Sequence, residues 1–156
     1  HPEGPKFAAI AFIIGLLLSW FFWDGFFTVG LVLALYCLYF FRDPERFTPQ
    51  DASLVIAPAD GVIHKIMEAV PPTALGLGDQ PLTRISIFLN VFDVHINRIP
   101  ATGKIVAAEY IKGAFFNAEL DKASDDNERQ LLTVETQKGA KIGFIQIAGL
   151  VARRIV

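Results

Sequence analysis

The sequence predicts a mostly β domain, a compact sandwich or barrel of short strands, preceded by an N-terminal hydrophobic helical hairpin. Three observations carry that prediction. Residues 7–41 are apolar at every position except Gly15, Ser19, Asp24, Gly25, Thr28 and Gly30. After residue 42 the pattern breaks into short Val/Ile-rich runs, most of them bounded by Gly, Pro, Asp or Asn. The apolar share of the 156 residues is 53%, with a mean hydropathy of +0.42; the excess is concentrated in the first stretch, and the rest has ordinary globular composition.

The same arithmetic excludes whole classes. The chain is about one domain long and too apolar to be disordered or fibrous. Its single cysteine, Cys37, lies inside the greasy stretch, so there is no disulfide scaffold. A formal charge of −2 without a dense Lys/Arg run gives no support for nucleic-acid binding. The chain begins at His1 and stops at Arg153-Arg154-Ile155-Val156 in what reads as mid-strand, which predicts a trimmed or processed piece.

The elements follow in order. Phe7–Trp23 and Phe26–Phe41 are two apolar runs separated by Asp24-Gly25. As helices each would span about 25 Å, the lower edge of what crosses a bilayer core of about 30 Å. One long helix would bury Asp24 at a cost of a few kcal/mol, and a cleaved signal peptide would have a shorter core and a small-residue cleavage site. A hairpin turning at Asp24-Gly25 avoids both problems. Trp20 and Trp23 then suit an interfacial belt near the turn, and Tyr36 and Tyr39 one near the exit. Lys6, Arg42 and Arg46 fall on one side, which the positive-inside rule makes cytoplasmic; a shallow monotopic hairpin stays open. The domain division is therefore 1–41, a membrane-anchoring hairpin, and 42–156, a β-rich domain.

Strands are expected at Leu54–Ala57, Gly61–Val70, Thr83–Leu89, Gly103–Ile111, Leu131–Thr136 and Lys141–Ile147. In the third, Ile85, Ile87 and Leu89 alternate onto one face. Ala118–Gln130 is polar and acidic and reads as a long exposed loop. Pro58-Ala59-Asp60-Gly61-Val62-Ile63 and Pro100-Ala101-Thr102-Gly103-Lys104-Ile105 share the pattern P-A-x-G-x-I, 42 residues apart. Two readings stand: unrelated β-turns, or a duplicated β-hammerhead.

Chemistry-bearing residues are few. His64 follows the Asp60-Gly61 turn, on a strand face shared with Val62 and Ile66. His95 sits after a clean strand and before a turn, where sites tend to lie. Taken singly, each histidine is more often structural than catalytic. No metal-ligand spacing, phosphate loop or serine-nucleophile motif occurs. Asp121-Lys122-Ala123 matches the tripeptide at which lipoyl domains carry their modified lysine. That gives an alternative function, a membrane-tethered lipoyl- or biotinyl-like carrier or adaptor using Lys122, although the sequence after Lys122 makes a poor strand.

Six landmarks in order resemble phosphatidylserine decarboxylase, in its short bacterial and archaeal form. They are Phe40-Phe41-Arg42-Asp43-Pro44-Glu45-Arg46, Ala57-Pro58-Ala59-Asp60-Gly61, Asn90-Val91-Phe92-Asp93-Val94-His95-Ile96-Asn97-Arg98, Asn117-Ala118-Glu119-Leu120-Asp121-Lys122-Ala123-Ser124, Asn127-Glu128-Arg129 and the run Ile145–Arg154. The resemblance implies a proenzyme that cuts itself at a Gly-Ser bond beyond Val156, this chain being the large (β) chain. The serine becomes a pyruvoyl group, the covalent cofactor, on a small α chain. Its carbonyl would condense with the serine amine of phosphatidylserine as a Schiff base and take up the electrons left when CO2 departs, giving phosphatidylethanolamine.

By the same resemblance, Asp60 and His95 are the catalytic residues, relaying charge from the serine during self-cleavage. His95 then serves as acid or base in decarboxylation. Many longer members carry a further histidine where this chain has Phe92, so that residue's role has no counterpart here. Phe115, Phe116 and Asn117 are candidates to line the headgroup pocket, and Arg129 to hold the lipid phosphate; plain core packing and a loop ion pair are the competing readings. Arg42 and Arg46 attract anionic lipid or simply anchor the surface. The partners implied are the α chain, the phospholipid and the cytoplasmic face of the cell membrane. A homodimer is one arrangement the resemblance allows, and no metal is implied.

Overall fold

The computed structural model describes residues 1–49, 51, 53–116 and 126–155. Two helices open the chain, α1 (Glu3–Phe21) and α2 (Gly25–Phe40). Five strands follow: β1 (Val62–Ala69), β2 (Leu82–Phe88), β3 (Gly103–Ile111), β4 (Arg129–Thr136) and β5 (Lys141–Ile147). The expected hairpin-then-strands architecture is what forms, with every strand pairing antiparallel. Residues group into two units: one holds His1–Phe47, Ala59–Gly61 and Leu89–Ile96, the other Thr48–Pro58, Val62–Phe88 and Asn97–Val156.

In the first unit the helices turn at Asp24-Gly25, where Phe26 N–H bonds Trp23 O and Phe27 N–H bonds Asp24 O. The helix pair buries only small residues: Gly4, Ala8 and Gly15 on α1, Gly30 and Ala34 on α2. A Cβ added at Gly15 would lie 2.5 Å from the Cα of Gly30, so the backbones touch where no side chain intervenes. Phe12 and Phe27 meet edge to face beside this seam, and Phe7 stacks on Phe41. The large residues point outward, Trp20 being 84% exposed. That inverted arrangement, small inside and greasy outside, suits a lipid solvent in which close packing rather than water exclusion holds helices together. The 19-residue α1 is long and apolar enough to cross a membrane, whereas the 16-residue α2 is shorter.

The second unit holds two sheets, β1-β2 and β3-β4-β5. Its core is centred on β4, where Leu131, Thr133 and Val134 are fully buried. A 3₁₀ turn at Thr73–Leu75 lies over them, and Thr133 Oγ1 donates to Leu75 O at 2.7 Å. Gly143 on β5 leaves room for Leu75 and Leu77, whose Cδ1 atoms lie 2.9 and 2.8 Å from where a Cβ would sit.

The faint sequence echo has a structural counterpart. The β1-β2 hairpin carries a bulge between Ile63 and Lys65, opposite Ile87 and Ser86. The β3-β4 hairpin carries one between Ile105 and Ala107, opposite Val134 and Thr133. Every first-strand pairing maps 42 residues on and every second-strand pairing 47 residues on, bulge included. The segments before the two hairpins also exchange symmetric hydrogen bonds, Ile56 N–H to Pro100 O at 2.8 Å and Arg98 N–H to Pro58 O at 2.7 Å. The duplicated-hairpin reading therefore accounts for the geometry, and unrelated turns do not.

Some local expectations are corrected. Leu54–Ala57 forms no strand; Leu54 N–H bonds Asp51 O and Ile56 N–H bonds Pro100 O. His64 is the bulged residue, so the alternation that would align it with Val62 and Ile66 is interrupted there. Arg129 and Gln130, read as loop, open β4 because their backbones pair on both sides. Arg153–Ile155 are not in a strand. Most of the Ala118–Gln130 segment, and with it Lys122, lies outside the described residues.

Candidate active site

Asp60 and His95 are 35 positions apart in sequence and fall in the same unit, on Ala59–Gly61 and Leu89–Ile96. Each stretch joins the first unit although β1 and β2, which separate them in the chain, belong to the second. Gly61, with φ of 123°, provides the left-handed backbone that turns the chain between Asp60 and β1.

The loop carrying His95 braces itself. Asn90 Oδ1 accepts from Phe92 N–H and Asp93 Oδ2 from Asn90 N–H, both at 2.8 Å, while Asp93 N–H bonds Asn90 O at 3.0 Å. These are turns closed by short polar side chains. Val94 is 3% exposed and seats the loop, while His95 beside it is half-buried.

His95 Nδ1 lies 3.2 Å from Asp93 O. A carbonyl oxygen only accepts, so this contact is a hydrogen bond when Nδ1 carries the proton. That tautomer puts the lone pair on Nε2, which has no hydrogen-bond partner among the described residues. The imidazole face stacks on Phe40, ring centroids 4.3 Å apart at 26°.

Asp60 is ion-paired through Oδ2 to the Arg46 guanidinium. Its other oxygen accepts no hydrogen bond among the described residues, and none joins Asp60 to His95. The arrangement is thus an imidazole whose Nε2 has no hydrogen-bond partner among the described residues and a carboxylate paired with arginine. Arg46, expected to meet lipid, is engaged by Asp60; Arg42 donates to Tyr39 O at 2.9 Å and to Phe92 O at 2.8 Å.

The candidate headgroup residues lie in the second unit. Phe115 is half-buried with the Arg153 guanidinium 5.7 Å from its ring centre, and Phe116 is exposed. Arg129 is half-buried at the start of β4. Asn117 lies outside the described residues.

The sequence missed the residue that organises this region, Asn127. It is 0% exposed, its Oδ1 accepts from Phe116 N–H at 2.9 Å, and its Nδ2 donates to Phe116 O at 2.9 Å and Ala148 O at 2.8 Å. Its backbone bridges Ala114. An asparagine inside a polar loop gives no sign of burial; only the three facing backbone groups do. Tyr110, on β3, donates its hydroxyl to Glu128, which holds its pKa above the ordinary tyrosine value of 10.0.

An apolar helix pair is followed by antiparallel hairpins of matching register, and one unit holds both the His95 imidazole and an arginine-paired carboxylate. The comparison with known families goes further. Residues 33–156 match the phosphatidylserine decarboxylase family, and the chain belongs to it. The match takes in the end of α2, both site loops and all five strands. Membership makes this chain part of a membrane-associated decarboxylase family of phospholipid biosynthesis.

Proposed function

We propose that this chain is the β chain of a pyruvoyl-dependent phosphatidylserine decarboxylase, acting at the cytoplasmic face of the cell membrane with an α chain cut from the same proenzyme. The observation that carries the reading is the family match over residues 33–156, a range that spans the positions of Asp60 and His95. The residues present suit a pyruvoyl group: they offer an imidazole base and a carboxylate but no electron sink of their own. A pyruvoyl group would supply that sink, a carbonyl able to take up the electron pair left behind when CO2 departs.

His95 performs the proton transfers. With Nδ1–H directed at Asp93 O, Nε2 accepts the proton of the attacking serine hydroxyl during self-cleavage, and the ring becomes imidazolium. The negative charge of Asp60 offsets that positive charge, and Arg46 holds the carboxylate in place. In turnover His95, regaining a proton from solvent in each cycle, would supply the one proton that replaces the departing carboxylate. By the family resemblance Phe115, Phe116 and Asn117 are the candidates to contact the headgroup, and Arg129 the candidate to contact the phosphate.

Intact-mass measurement of the purified full-length gene product tests this reading. A second, smaller chain with an N-terminal pyruvoyl group is expected, together with CO2 release from phosphatidylserine vesicles. A single chain without a carbonyl reactive to hydroxylamine or borohydride overturns it, and a lipoyl or biotinyl mass increment on Lys122 would establish the carrier alternative.

A further inference from the structure

Three side chains at the end of α2 reach the loop that carries His95. Tyr36 Oη donates to Val91 O at 2.9 Å, and its ring meets Phe92 edge-on, 6.4 Å between centroids at 82°. Phe40, one turn further along the same helix face, stacks on the His95 imidazole. Arg42, just past the helix, donates to Phe92 O while its guanidinium lies 3.8 Å from the centre of the Tyr39 ring. Backbone carbonyls 91 and 92 and the imidazole itself are therefore held by one helix terminus.

The imidazole has two rotatable bonds, and the contact at Nδ1 restrains only one edge of it. The Phe40 face removes the remaining freedom: a ring pressed at 4.3 Å cannot swing without opening an apolar gap. The loop's own bonds, through Asn90 and Asp93, fix its shape but not its attachment; Tyr36 and Arg42 supply that attachment.

We infer that Phe40 is a positioning residue for His95, with Tyr36 and Arg42 anchoring the loop. The apolar hairpin is then part of the proton-transfer apparatus as well as an anchor. Orientation is the relevant quantity, because a base contributes only when its lone pair faces the proton, and small misplacements cost large factors in rate. The inference rests on the proposed role of His95.

The test uses the full-length proenzyme in membranes, following self-cleavage with time on gels over a range of pH. His95→Gln is expected to leave the proenzyme uncut. Phe40→Leu, which keeps an apolar contact but loses the flat face, is expected to slow cleavage roughly tenfold or more and to change its pH profile. Phe40→Tyr, which restores a ring, is expected to recover both. Tyr36→Phe removes one hydroxyl and is expected to slow cleavage by a smaller factor with the hairpin intact, so it decides the matter should Phe40→Leu fail to enter membranes. If His95→Gln cleaves normally, the proposed function of His95 fails. If His95→Gln is uncut while Phe40→Leu, or in its place Tyr36→Phe, matches the wild type in rate and pH profile, the positioning inference alone is overturned.

Discussion

Replacing Asn127 by alanine removes three hydrogen bonds from a side chain that water does not reach. Two of the orphaned groups belong to Phe116, and the third is the carbonyl of Ala148, itself 2% exposed. At about 1 kcal/mol for each bond, with a further penalty for a buried carbonyl left unsatisfied, the substitution should cost roughly 3–4 kcal/mol. That is a large share of a typical domain's stability of about 5–15 kcal/mol. Urea unfolding of the purified enzyme in detergent, with wild type and variant compared at equal slope, reads it as a drop in midpoint. For a typical slope of about 2 kcal/mol/M the drop is roughly 1.5–2 M. Asn127→Asp should fare no better, since it presents an oxygen to two carbonyl oxygens. A midpoint within about 0.3 M of wild type for Asn127→Ala would refute the view that this side chain ties 114–116 to the turn after β5.

Thr133→Val keeps shape but leaves Leu75 O unpaired, and should lower stability by about 1–2 kcal/mol in the same unfolding assay. Gly15→Leu should pry the helices apart; oxidative crosslinking in a Phe12→Cys, Phe27→Cys, Cys37→Ala background, where the native rings lie 5.9 Å apart, should fall sharply relative to the same background with Gly15. Tyr110 has a folded-state pKa above its unfolded value, so its bond to Glu128 stabilises fully below about pH 10 and is lost as pH rises through the raised value. The stability gap between wild type and Tyr110→Phe should therefore be present at pH 8 and close at strongly alkaline pH.

The helices and most strands were legible because their patterns are local: an apolar run broken by Asp24-Gly25, and Val/Ile runs cut by turn residues. Leu54–Ala57 shows the limit of that logic, since four apolar-rich residues need a partner strand to become one. His95 and Asp60 became candidates through motif resemblance and through their place beside turns. Their neighbours were not. Arg46 meets Asp60, and Phe40 meets His95, through tertiary contacts between segments that no sequence period connects. Tyr36 read as an interfacial aromatic, whereas its hydroxyl is spent on a loop carbonyl 55 residues away.

The repeated hairpins have a consequence for how the chain can be probed. Following β4, the second copy closes directly, Thr136 N–H and Gly139 N–H forming a tight turn into β5. Following β2, the first copy runs instead into Leu89–Ile96 and His95. One hairpin thus leads straight into the next strand of its sheet, while its counterpart leads into the segment that holds the candidate residue His95. Matched substitutions in the two copies, such as at Ile63 and Ile105, probe that division of labour within a single molecule, each serving as the other's control.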